Sequence, residues 1–287
     1  MTQSTRVPQE IEELEAHVRR APGSGEAWGS LGLAYRIEGA PGLAAEALGA
    51  AVRLAPDNAE YWHGLGMAQL DLDLAEEALR SGRRAVELAP RHPMAHVLLA
   101  RALGRLGFCH RAIVHLEKAT CLDPTWPAPL GDLGWAHLTL DEHRAAAEFF
   151  EAALRLDPEQ LDLWAPWGAC LLERRQAGRA VPVLETAVSL RPDDADSWAR
   201  LGCALQQTGR SAEAATALLR GIELGCRRNW AWYWAGEAAA ALGDREGLDR
   251  AHRELLAQDP ERARDLEPRL RELGGERSAE RASRRAG

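Results

Sequence analysis

Apolar and small residues recur along this chain at the spacing of one helical face, stop, and resume, and the whole arrangement then repeats. Between residues 25 and 58, Trp28, Leu31, Gly32 and Tyr35 fall at steps of three and four. Gly39 interrupts them, and Ala44, Leu48 and Ala51 restart the pattern, which ends at Pro56. Pro22, Pro56, Pro90, Pro124, Pro158 and Pro192 follow one another at 34-residue steps; Pro260 stands two steps on, with Cys226 in the missing place. A fixed place in each period holds Trp28, Trp62, His96, Leu130, Trp164, Trp198 and Trp232. Four residues later come Gly32, Gly66, Ala100, Gly134, Gly168, Gly202 and Gly236, and Ala44, Ala78, Ala112, Ala146, Ala180 and Ala214 recur in the second stretch. Two amphipathic stretches per 34 residues predict a chain of helical hairpins. Small residues let the two helices approach closely, and the tryptophan is the large knob between units. Proline ends the second helix by disfavouring helix at the preceding residue, and Gly39, Gly107, Gly209 and Gly243 suit the intervening turn.

Seven such units run without insertion or deletion through 25–58, 59–92, 93–126, 127–160, 161–194, 195–228 and 229–262. Their pattern, W-x2-L-G-x2-Y…A-x3-L-x2-A-x4-P, resembles the tetratricopeptide repeat, and the first unit shows it most fully. The resemblance implies an all-α, right-handed superhelical solenoid of antiparallel helix pairs. A helical hairpin has two faces that only stacking on neighbours can bury, so the ends need caps. Residues 1–24 read as a polar segment plus a capping half-repeat, with its helix at Gln9–Arg20 (QEIEELEAHVRR). Residues 263–275 read as a polar C-terminal cap helix, kinked at Pro268. The tail 276–287 has no aromatic or branched aliphatic residue and reads as disordered. The fifth unit carries Pro166 and Pro182 in its two helices, which therefore either start late or distort.

Composition narrows the function more than the fold. The 287 residues carry 35 basic and 43 acidic side chains, a net charge of −8, which argues against nucleic acid as a partner. No apolar run approaches the length of a membrane span, and the polar start Met-Thr-Gln-Ser-Thr-Arg-Val-Pro does not read as a signal peptide. Five scattered cysteines with no CxxC pair point to a reducing compartment, and a cytoplasmic location is expected. Lys118 is the only lysine among the basic residues, a codon-level hint of a GC-rich, bacterial coding sequence.

Motifs for chemistry are missing: there is no GxxxxGK[ST] phosphate loop, HExxH or GxSxG. His92, His96, Cys109, His110, His115 and Cys121 are the nearest approach to a metal cluster. In the repeat frame His96 takes the buried tryptophan place, Cys109 and His110 start the next helix, and His115 is expected to face outward. No metal, cofactor or catalytic residue is expected, and the chain reads as a non-enzyme.

What the resemblance implies is a concave groove lined by first helices. Mapped residue by residue, that groove comprises His63, Met67, Leu70, Met94, Val97, Arg101, Arg105, Trp135, Leu138 and Leu172, together with a second patch of Trp230, Tyr233, Trp234 and Glu237. The Lys/Asn/Arg clamp that some relatives use for a C-terminal carboxylate is missing here. An apolar middle with Arg101 and Arg105 set into it suits an amphipathic helix or an extended peptide with apolar and acidic side chains. The expected role is a protein-binding scaffold or adaptor. The alternatives are a self-assembling scaffold, and a regulatory subunit or chaperone of a partner enzyme or secretion or assembly machine.

Overall fold

The computed structural model describes residues 3–273, with side chains from residue 10 onward; the tail 276–287 and the Gly274–Gly275 end of the expected cap lie outside the described residues. The described residues form helices α1–α16 and a further helical segment at 267–273, with no strand among them. The chain divides into two compact units, Met1–Leu156 and Asp157–Gly287.

The first unit contains α1 (Gln3–Arg20), α2 (Gly25–Ile37), α3 (Pro41–Leu54), α4 (Ala59–Asp71), α5 (Ala75–Leu88), α6 (Pro93–Arg105), α7 (Cys109–Leu122), α8 (Ala128–Thr139) and α9 (His143–Leu156). Each helix packs on the next in sequence, and α2, α4, α6 and α8 also touch one another in turn. Helix starts follow local chemistry. Ser24 and Asn58 cap α2 and α4, their side-chain oxygens accepting from the backbone N–H groups of Ala27 and of Glu60 and Tyr61. The α2–α3 crossing needs a glycine at Gly32, where a Cβ would stand 2.5 Å from Leu48 Cγ and 2.9 Å from Leu48 N. The helix α1 begins at Gln3, six residues before the expected start, and buries Val18 against Ala27, Leu31 and Ala47. Tyr35 secures it by donating its hydroxyl to Glu15 Oε1 at 2.6 Å.

The second unit contains α10 (Trp164–Glu173), α11 (Ala177–Leu190), α12 (Ala195–Gln207), α13 (Ser211–Glu223), α14 (Asn229–Ala241), α15 (Arg245–Gln258) and α16 (Pro260–Arg264), built on the same plan. Pro166 falls in the first turn of α10, where its missing N–H costs nothing. Pro182 lies inside α11, which continues through it to Leu190. After α16 the chain turns at residues 265–266 and is helical again over 267–273. The break therefore comes earlier than the kink expected at Pro268. Leu266 is completely buried over Gly236, and Pro268 sits in the first turn of the following segment, where proline is tolerated.

Two devices recur in both units. The indole N–H of Trp28, Trp62, Trp164 and Trp198 donates to the carbonyl of the proline six residues earlier, at 2.8–3.1 Å, closing the loop between hairpins. The turn inside each hairpin passes through a residue with positive φ. Gly39, Gly107, Gly209 and Gly243 take this place as expected, but so do Asp73 (60°), Asp141 (57°) and Arg175 (56°), which adopt it against a steric penalty.

Candidate functional site

In the first unit, α4, α6, α7 and α8 line a cavity of about 550 Å³ that brings together Met67, Leu70, Arg101, Arg105 and Trp135. Trp135 is 42% exposed, and its ring meets Phe150 edge-on at 5.6 Å, so it both packs and presents an indole face. Neither arginine waits for a ligand. Arg101 donates through Nε and Nη2 to both carboxylate oxygens of Asp132, at 2.7 and 3.3 Å, and Arg105 Nη1 donates to Asp73 Oδ1 at 3.1 Å. Both arginines of this wall are thus matched internally, while Asp71 adds a further carboxylate to the lining.

Two residues expected in the open groove are buried. Leu70 is 7% exposed, because α6 closes over it with Leu98 and Ala102. Val97 is 3% exposed and packs in one cluster with Leu99, Leu103 and Leu133, with Leu130 against it. Leu70 still contributes an edge to the cavity; Val97 is core. Leu138 is half-buried and lines none of the cavities described here.

A second cavity of the same unit, about 790 Å³, is lined by His63, Met94, Leu33 and Arg36. Burial, reinforced by the charges of Arg36, His92 and Arg101, pulls His63 down to about 4, so its imidazole is neutral at pH 7. The Arg36 Nε is buried without a hydrogen-bond partner.

In the second unit a cavity of about 920 Å³ gathers Leu172, Trp230, Tyr233 and Trp234, with Arg175 and Arg200 beside them. Tyr233 and Trp234 meet edge-on at 5.4 Å, and the Arg200 guanidinium lies 5.7 Å from the centre of the Trp230 ring. Glu237 is not available to a ligand: Arg269 donates to both its carboxylate oxygens at 3.3 Å. Arg175 and Arg200 escaped the sequence reading. The one signal for Arg175 was an arginine standing where four other units place glycine.

The histidine-rich segment resolves differently from expectation. His96 fills the tryptophan place, and its Nε2 lies 3.0 Å from the Pro90 carbonyl, as an indole N–H would. A carbonyl only accepts, so the His96 proton sits on Nε2 and its Nδ1 is an acceptor. His115 is not outward-facing. It stacks on His96 at 5.4 Å and donates from its own Nδ1 to that acceptor at 3.2 Å. Burial depresses the pKa of both rings, so the pair is neutral. Among the described residues no group of three or more His, Cys, Asp and Glu is placed to hold a metal, and no helix is long and apolar enough to cross a membrane.

Models of the tetratricopeptide repeat match residues 39–93, 129–160 and 171–230. The chain belongs to the tetratricopeptide repeat family. No curated protein sequence matches it significantly. Among solved structures it is similar to YrrB, a TPR protein described as having an unusual peptide-binding site, at 23% identity and a TM-score of 0.61, over 66% of this chain and 99% of that one. It is also similar to pilF of Pseudomonas aeruginosa, at 18% identity and a TM-score of 0.59, over 76% and 97%. A third likeness is to the APC/C hetero-tetramer Cut9–Hcn1, at 19% identity and a TM-score of 0.59, where the match covers 93% of this chain and 52% of the other. At these identities the likeness is one of fold. Tetratricopeptide repeat proteins bind protein partners, and an interaction scaffold is the general role the family supports.

Proposed function

We propose that this tetratricopeptide repeat chain is a non-enzymatic scaffold or adaptor that seats a partner peptide or amphipathic helix against its first helices. The observation that carries this reading is the first-unit cavity. A 42%-exposed tryptophan stands beside Met67 and the edge of Leu70, and the flanking arginines are already neutralised by Asp132 and Asp73. Such a wall favours apolar contact side chains, because burying Trp135 under a partner gains transfer free energy without stranding a charge. The free, mostly buried cysteines, with Cys170 and Cys203 pushed up to about 11 by burial, suit a reducing location such as a bacterial cytoplasm.

The test compares wild type with Trp135→Ala combined with Met67→Gln, as bait for proteins of the native host, with bound proteins identified by mass spectrometry. A partner captured by wild type and lost with the variant, at unchanged helical circular dichroism, supports the site. A partner retained by both removes it. Substituting Arg101 would be a poorer test, because it strands Asp132.

A further inference from the structure

The arginines among the described residues fall into two classes. Arg101, Arg105 and Arg269 meet carboxylates of their own unit. The side chains of Arg175 and Arg200 make no hydrogen bond or ion pair among the described residues, yet both line the second-unit cavity. Arg200 is half-buried and held over the Trp230 face, which positions the guanidinium while leaving its N–H groups unspent. Arg175 is kept at a φ of 56° in a turn where glycine serves four other units. Asp73 and Asp141 take the same φ in the equivalent turns of their hairpins, and the Arg175 side chain is exposed. Beside these cations stands an aromatic wall of Trp230, Tyr233 and Trp234 in a cavity of about 920 Å³. The carboxylates at its rim, Glu173 and Asp265, are exposed and bridge to neither arginine.

We infer that this second-unit cavity binds an extended acidic peptide segment, with two side-chain carboxylates on Arg175 and Arg200 and an apolar or aromatic side chain against Trp230 and Trp234. The inference extends the interaction reading to a second place with a different ligand chemistry, and rests on that reading only in making the chain a peptide binder. The charge match argues for the occupant. A partly desolvated arginine over an aromatic ring, without a counter-ion, is completed by a carboxylate, which the planar fork accepts in bidentate fashion. Beyond about 8 Å at physiological salt the net charge of the chain is screened, and the lining itself sets Arg175, Arg200 and Arg262 against Glu173 and Asp265, a local excess of positive charge.

The experiment measures fluorescence anisotropy with short acetylated, amidated peptides in which Glu alternates with Phe, against the same peptides with Gln for Glu. The probe has no free C-terminal carboxylate; a third version with one asks whether a chain end binds instead. The Glu peptide is expected to bind at least about tenfold tighter than the Gln peptide and to weaken as salt rises to about 0.5 M. Arg200→Gln and Arg175→Gly are each expected to cost about tenfold. Arg175→Gly relieves the backbone and so does not unfold the turn. Trp135→Ala with Met67→Gln, which tests the first cavity, is expected to leave this binding unchanged, so either site can fail alone. Equal binding of the Glu and Gln peptides, no effect of the arginine variants, or binding only through a free chain end each overturns the inference.

Discussion

Lowering the pH acts on the first unit through His63. The native imidazole titrates at about 4 against an ordinary 6.5, because burial and the charges of Arg36, His92 and Arg101 oppose its protonation. Between those values the unfolded chain binds more protons than the folded one, so stability is fully present above about 6.5 and falls as the pH drops toward 4. At pH 5 the linkage relation gives a loss of about 2 kcal/mol for this shift, and about 1–2 once the water that reaches the cavity is allowed for. Asp57 and Glu60 line the same cavity but are exposed, and so offset little of it. His96 and His115, also depressed by burial, act in the same direction and add to the acid sensitivity of the unit. The assay is urea unfolding followed by far-UV circular dichroism at about pH 7.5 and pH 5, on wild type and His63→Gln. The variant, with no titrating ring at that place, is expected to lose about 1–2 kcal/mol less than wild type on acidification, while keeping the part due to His96 and His115. Equal losses in the two proteins would refute the account of a desolvated, cation-flanked histidine.

Two glycines with opposite surroundings make a paired prediction. Gly202→Ala would bring a Cβ to 2.4 Å from Leu218 Cγ and 2.9 Å from the Ala214 carbonyl, and is expected to cost about 1–3 kcal/mol in urea unfolding. Gly49→Ala in the middle of α3 meets only Arg53 Nη1, at 3.6 Å, and is expected to gain up to about 1 kcal/mol. Tyr35→Phe removes the hydroxyl that ties α2 to Glu15, and is expected to lower hydrogen-exchange protection in α1 while leaving α6 unchanged.

The helical hairpins were legible because a 34-residue period samples the same packing problem again and again: the tryptophan place, the small residue at the crossing and the proline each state their role several times. That redundancy also placed His96, whose burial followed from its column and not from its polarity. A column cannot report how the neighbouring unit covers a residue. Leu70 and Val97 stand in groove columns but are sealed by Ala102 and Leu98 in one case and Leu133 in the other. His115 turned inward because His96, 19 residues away, offered an acceptor that tryptophan in the same place would not have had. Asp73, Asp141 and Arg175 were hidden for another reason: composition does not show that a non-glycine residue will accept positive φ.

Three ion pairs that reach from one unit to the next obey a spacing that separates spent arginines from unspent ones. Arg101 meets Asp132 31 residues on, Asp73 meets Arg105 at 32, and Glu237 meets Arg269 at 32. Each separation is a little under one period, as expected where a side chain reaches across to the next unit. Arg200 faces Ala169 and Gly168 at the corresponding distances upstream and Ala231 and Trp232 downstream, so its lack of a counter-ion is written in the chain. The spacing also supplies a test that leaves every cavity arginine in place. Ala169 and Arg200 stand 31 apart, like Arg101 and Asp132 with the charges reversed, and Ala169 is half-buried on α10. Ala169→Asp should therefore give Arg200 an internal carboxylate, and Ala169→Asn should give it a neutral group of the same shape. If an acidic peptide binds by completing Arg200, the aspartate variant weakens binding of the Glu-containing peptide by about tenfold, and the asparagine variant does so far less. Equal weakening by both would mean that bulk at residue 169, and not the charge of Arg200, controls the cavity.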